Sequence, residues 1–282
     1  MALRVAAIDF LNPAPLMWDF HHPPMQTALA ERYALHLTAP SQCARELIEG
    51  RADLGLIPIA ALTPELRIVP GCTIASLDKV RSIQLIVKAP LTLEQVRTVA
   101  ADTASRSSVA YAQVLFRHFL GVDPEFRPAK ADAEAMLGEA DAALLIGDPA
   151  LLALERRAEI EARLGPCTWY DIAHEWCQRT GLPWVAAVWA VRPECVPTPG
   201  DRRRLMDDLN GSRDRGLTHM EDLVREWTPR IALAPETIRY YLEHNIHYTL
   251  DAPCERSIAA FRRLAGHVGV LDPLPQLPFL EV

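Results

Sequence analysis

Apolar runs short enough for strands alternate with stretches of helical spacing along the first two thirds of the chain. Residues 3–8 form a short apolar run, 26–33 carry helical periodicity, and 35–39 predict a second strand. Ser41 predicts an N-cap for a helix over 42–49, which Gly50 stops. Residues 54–57 are apolar enough for a buried parallel strand. This βαβαβ opening predicts an α/β sheet with crossover helices.

A second block opens with a long apolar strand over 82–88, ended by Pro90. A strand over 96–100, a small polar loop over 102–108 and a helix over 109–120 follow, the last ended by Gly121. Next come a short strand at 125–127, a helix at 132–137 and a strand at 142–146. Gly147-Asp148-Pro149 leads into a helix, 171–179 predicts another, and a second long apolar strand covers 184–191 before Pro193. The pattern then changes to helices over 201–211, 217–227, 235–244 and 254–264, and the proline-rich tail from 271 predicts an extended surface segment. If the two long strands cross between lobes, domain 1 is 1–88 plus 192–282. Residues 89–191 are then an inserted domain 2, with a ligand cleft between the two.

Composition narrows the classes. Half of the residues are apolar, enough for a real core, yet no run of about 18 apolar residues predicts a membrane span. The opening apolar run is broken at Asp9 and is too short for a secretory signal, so a cytoplasmic protein is expected. The net charge is −7, and the triplet Arg202-Arg203-Arg204 reads as a solvated helix face, so nucleic acid is not an expected partner. Six scattered cysteines and the pairs His21-His22 and His244/His247 lack the clustering that a disulfide framework or a metal needs. No nucleotide fingerprint occurs, and neither cofactor nor metal is expected.

Loops beyond the strand ends supply the candidate site. They carry Asn12 in a proline-stiffened loop over 9–16, Ile59 after the third strand, Ser82 after Arg81, the run Ser105-Arg106-Ser107-Ser108, and Gly147-Asp148. Strand, small hydroxyl residues, then helix presents hydroxyl and backbone donors to a carboxylate or phosphate, and Arg106 adds a fork of donors. Ordinary N-capping by Ser105 or Ser107 accounts for the same residues. Gly147-Asp148-Pro149 likewise fits a turn, a cap and a first helical position. Trp176, Trp184 and Trp189 read as core. The residues alone thus predict a two-lobed α/β protein with a cleft for a small anion, and they do not reach a reaction.

Seven stretches in order carry a family resemblance: LNPAPL at 11–16, ADLGLIPIAAL at 52–62, VRSIQLIVK at 80–88, SRSSVAYAQVLF at 105–116, DAALLIGDPAL at 141–151, HEWCQRTGLPWVAAVWAVR at 174–192 and YYLEHNIHYTL at 240–250. The sequence resembles the chorismate dehydratases of the futalosine route to menaquinone. The resemblance implies a fold similar to type II periplasmic binding proteins and a cytoplasmic enzyme without cofactor or metal. The implied reaction removes water from chorismate to give 3-[(1-carboxyvinyl)oxy]benzoate. It also implies that Asn12 and Ser82 handle substrate and that SRSS forms a substrate-carboxylate loop. Asp9-Phe10, Arg81 and Ala173 depart from the family's usual residues, which are serine-tyrosine, a small residue and glycine.

Two alternatives remain at this stage. The sister enzyme that makes dihydroxynaphthoate carries a Cys-Pro-Asn-Asp run in its first loop, absent here, and a catalytic histidine for which only His174 is near a suitable place. A small-anion-binding protein without catalysis needs only the cleft.

Overall fold

The computed structural model describes residues 2–274 and 276–281. Eleven strands are present among them: β1 (Leu3–Ile8), β2 (Tyr33–Thr38), β3 (Leu54–Pro58), β4 (Arg67–Ser76), β5 (Ile83–Lys88), β6 (Thr98–Asp102), β7 (Glu125–Ala129), β8 (Ala142–Ile146), β9 (Cys167–Asp171), β10 (Trp184–Val191) and β11 (His247–Leu250). They form a six-stranded sheet in the order β11-β4-β10-β3-β1-β2 and a five-stranded sheet in the order β7-β6-β8-β5-β9. Both sheets are mixed. β1 pairs parallel with β2 and β3, while β10 runs antiparallel to β3 and β4. β6 pairs parallel with β7 and β8, while β5 runs antiparallel to β8 and β9.

The two sheets define two lobes, and pairing draws the division differently from the apolar pattern. β5 bonds only within the second sheet and β10 only within the first. The chain therefore passes between sheets at 77–82 and 181–183, and the expected boundaries after 88 and before 192 are corrected to those short segments. Both strands are almost wholly buried, and a strand covered on both faces carries no mark of which sheet it will join.

Three strands escape the sequence pattern. In β4, Pro70 and Gly71 break the alternation where its register against β10 shifts. β9 and β11 are edge strands: β9 buries only its first residue, and β11 is four residues long, with Tyr248 and Leu250 buried alternately. Helix Pro40–Ile48 starts on its proline, with Ala39 rather than Ser41 at the N-cap. Helix Pro199–Thr218 runs through the predicted break after Gly211, and helix Met220–Trp227 follows it. The tail is anchored rather than loose. Ile68 donates to the Pro278 carbonyl at 2.7 Å, Leu280 donates back at 2.8 Å, and the Leu280 side chain is buried; Pro275 and Val282 of that segment lie outside the described residues. Among the described residues no helix is long and apolar enough to cross a membrane.

A continuous core runs through both lobes, and a smaller one fills the outer face of the second sheet around Ile86, Met136 and Leu145. The lobes meet at an aromatic cluster. Tyr111, on helix Ser107–Val114, stacks on Phe261 at 4.0 Å and meets Trp176 at 4.9 Å and Trp184 at 5.7 Å. Such pairs add about 0.5–1.5 kcal/mol each beyond area burial.

Helix Pro199–Thr218 clamps the loop after β1. Ser212 Oγ donates to the Leu16 carbonyl at 2.8 Å and accepts from the Asp19 amide at 3.0 Å, and Arg215 Nε reaches the buried Asp19 carboxylate at 2.7 Å. Gly216 sits directly under the Pro15 carbonyl, with no room for a Cβ. Gly216→Ala is expected to cost about 1–3 kcal/mol of stability by overpacking. Urea denaturation of parent and variant checks the effect.

Candidate active site

Between the sheets lies an open cavity of about 470 Å³, counting its mouth. Its apolar wall comes from Ile8, Phe10, Pro40, Pro58, Ile74, Ile83, Ala104, Ile146, Ala186 and Ala187. Its polar residues are Asn12, Ser82, Ser105, Arg106, Ser107 and Ser108, with Gly147 and Trp184 completing the lining. Seven of the nine residues expected from the sequence thus meet in one space. The other two do not: Ile59 is fully buried beside the cavity, represented there by its neighbour Pro58, and Asp148 lies just behind the wall.

The run at 105–108 departs from the capping expectation. Neither serine caps helix Ser107–Val114. Arg106 occupies the N-cap position without a side-chain bond, and the first helical bond runs from the Ala110 amide to the Arg106 carbonyl at 3.1 Å. Ser107 Oγ instead accepts from the Ala60 amide at 3.2 Å and donates to the Ala186 carbonyl at 3.1 Å. Ser105 Oγ is buried with no partner. The helix N-terminus is therefore open on the cavity side, where its amides and dipole favour an anion. Arg106 is exposed at the rim.

Asn12 stands between Leu11 and Pro13, and its Oδ1 is also buried without a partner. Ser82 lies against the buried phenol of Tyr241, whose pKa is held above its ordinary range by burial, an effect that hydrogen bonding to Ser82 only partly offsets. Arg81, just before Ser82, has φ +62°, a left-handed conformation rare for a side chain of this kind and the physical reason a small residue suits the position. Asp171 holds it there. Its carboxylate accepts from the Val80 amide at 3.3 Å, from the Arg81 amide at 2.6 Å and from Ala173 and His174 at the start of the next helix. Asp171, Tyr241 and Trp184 are the residues sequence reasoning missed, and the only local signal was an Asp opening a helix.

Asp148 does not cap its own helix. Helix Gly147–Glu155 begins at Gly147, with Ile146 at the N-cap, and the Asp148 carboxylate accepts from the Leu11 amide of the other lobe at 3.1 Å. Beside it, Gly147 has φ +60° and lies so close to Phe10 that a Cβ would stand 2.7 Å from Cε2. These two contacts hold the lobes together over the Asn12 loop. His174, the histidine the sister enzyme would need, pairs with Asp78 and takes no part in the cavity wall.

Two mixed sheets with helices and a polar cleft between them define a periplasmic-binding-protein-like fold. Solved structures agree. A protein of Archaeoglobus fulgidus matches with a TM-score of 0.73 at 15% identity, covering 96% of this chain and 98% of its own. The periplasmic aliphatic sulphonate-binding protein of Escherichia coli matches with a TM-score of 0.65 at 16% identity, covering 100% and 94%. The family is more specific: the chain belongs to the menaquinone biosynthesis family, whose model matches residues 3–267. A curated relative, the chorismate dehydratase of Thermus thermophilus, is 28% identical over 268 residues, covering 91% of this chain and 93% of its own.

Burial pushes the Asp148 carboxyl up to about 6, with Asp9 adding to the effect and the Leu11 amide and Arg230 opposing it. A carboxyl whose pKa is raised on folding adds no differential below the unfolded value near 4. It loses stability as pH rises from there through about 6, because the unfolded chain ionises first. Asp148→Asn keeps an acceptor for Leu11 and removes that cost. The variant is expected to match the parent at pH 4 and to exceed it by on the order of 2–3 kcal/mol above pH 6.5, read from chemical denaturation across that range.

Proposed function

We propose that the protein is a chorismate dehydratase, a hydro-lyase that converts chorismate to 3-[(1-carboxyvinyl)oxy]benzoate in menaquinone biosynthesis. Membership of the menaquinone biosynthesis family and the named Thermus relative support the pathway and the substrate. The observation that carries the chemistry is the cavity wall itself. It offers hydroxyl, amide and backbone groups with one exposed arginine, and among its residues there is no aspartate, glutamate, histidine, lysine or cysteine.

Loss of the C3 proton and the C4 hydroxyl of chorismate makes a benzene ring, so aromatisation drives the reaction. The C3–H is acidic because its electrons pass through the ring diene into the ring carboxylate. Stabilising that carboxylate as charge flows into it is the main task. The open N-terminus of helix Ser107–Val114, with Ser105 and Ser108, is suited to it.

The wall supplies no side-chain base, so the proton acceptor in this reading is the substrate's own enolpyruvyl carboxylate. Asn12 and Ser82 hold that group over C3, and Asn12 Oδ1 is free to accept from a substrate hydroxyl. Positioning then does most of the catalysis. Asp148 and Asp9 fit the role less well, since Asp148 already accepts from Leu11 behind the wall and Asp9 pairs with Arg230 at 3.2 Å outside the cavity. A cytoplasmic location goes with this biosynthetic role.

Incubation of the purified protein with chorismate alone is expected to give a product lighter by one water, identified by mass and by the appearance of a benzoate spectrum. Asn12→Ala and Ser82→Ala are each expected to lower kcat about a hundredfold or more. Turnover at the parent rate in both variants would sink the positioning role, and binding without turnover in the parent would favour a sensor.

A further inference from the structure

The wall contains a donor that the reading above leaves unused. Trp184, the first residue of β10, is 1% exposed, and its indole Nε1 is buried with no hydrogen-bond partner. A buried indole N–H normally finds an acceptor, because leaving it unpaired costs the full desolvation of the group. Trp176 shows the ordinary solution in this same cluster: its Nε1 donates to Ser257 Oγ at 3.0 Å and lies 3.1 Å from the Pro183 carbonyl. Trp184 has no such partner, and it lines the cavity in which Asn12 Oδ1 and Ser105 Oγ are also unpartnered.

Its place in the fold indicates what it meets. The start of β10 is docked against helix Ser107–Val114. The Trp184 ring lies 5.7 Å from that of Tyr111, the Val185 amide donates to the Tyr111 hydroxyl at 3.4 Å, and Ser107 Oγ donates to the Ala186 carbonyl at 3.1 Å. The indole therefore belongs to the same side of the cavity as the uncapped helix N-terminus. We propose that the Trp184 N–H is a substrate-binding donor that joins the helix amides and Ser105 on the ring carboxylate of the substrate. This rests on the dehydratase reading for the identity of the ring acid. The unpaired indole itself asks only for a hydrogen-bond acceptor.

The test separates the two. Trp184 is replaced by β-(3-benzothienyl)alanine, which keeps the bicyclic shape and puts sulfur in place of N–H, and in a second variant by phenylalanine. Calorimetry then measures three unreactive probes: 3-(carboxymethoxy)benzoate, 3-methoxybenzoate, and the methyl ester of the first at its ring carboxylate. Thermal unfolding is followed in parallel, and the benzothienyl variant is expected to melt within a few degrees of the parent. Both probes with a free ring carboxylate are expected to bind this variant about ten- to a hundredfold more weakly, as for a lost hydrogen bond to a charged group. Binding of the ring ester, already weak, should not change between parent and variant. With chorismate, KM is expected to rise and kcat to fall, since the carboxylate gains charge in the transition state.

Equal affinity of parent and benzothienyl variant for the two ring acids overturns the assignment. So does a loss seen only with probes that keep the side-chain carboxylate, or failure of the parent to bind either ring acid. Ring-acid binding that depends on the indole, in a protein that leaves chorismate intact, upholds the assignment and overturns the dehydratase reading instead.

Discussion

The cavity depends on a three-way contact at Ser107. Its hydroxyl accepts from the Ala60 amide and donates to the Ala186 carbonyl, which ties the second lobe's first cavity helix to two segments of the first lobe. A hydroxyl engaged in this way cannot cap its own helix. The N-terminal amides are therefore left facing the cavity, where they would otherwise have been neutralised locally. The aromatic cluster of Tyr111, Phe261, Trp176 and Trp184 fixes the far end of the first turn, so the open terminus is rigid as well as unpaired. Arg262 extends the same line of contacts. It is buried, and its guanidinium donates to the Ala60 carbonyl at 3.2 Å, so the peptide that meets Ser107 is held from behind.

The opposite wall is built by restraint of a loop. Pro13 and Pro15 limit its backbone, helix Pro199–Thr218 grips it through Ser212 and Gly216, and Asp148 accepts from Leu11 across the cleft. Asn12 thus has little freedom left, and its Oδ1 is unpaired. At Ser82 the restraint is a left-handed Arg81 held by the Asp171 carboxylate. Unpaired buried polar atoms and an unfavourable φ both cost stability, and at Asn12, Ser105 and Trp184 of the cavity wall a ligand can compensate. Apart from Arg106 at the rim the polar groups of the wall are neutral, and a neutral amide does not repel a doubly charged acid.

Much of this was legible in the order of the residues. The alternation of strands and helices, the loops at the strand ends and the run of small hydroxyl residues before a helix all follow from local pattern. Those loops contain seven of the residues that meet in the cavity. The resemblance to a known family added what pattern lacked, a substrate and a reaction. What pattern misjudged has a common cause. β5 and β10 are apolar on both faces, so their sheet is chosen by hydrogen-bond partners far along the chain. β9 and β11 are edge strands, the first burying one residue and the second only four residues long. Ser107 and Asp148 carry typical capping residue types, and each was drawn away by a backbone group of the other lobe.

The sequence by itself determined the element types and the chemistry offered at the strand ends, because these depend on residues a few positions apart. Only the tertiary structure decided which hydroxyl is engaged and which is free, that Asp148 braces the Asn12 loop, and that Trp184 reaches the cavity with its N–H unpaired. Each of these joins residues tens to more than a hundred positions apart, where a side chain's hydrogen-bond partner is settled by packing and not by propensity.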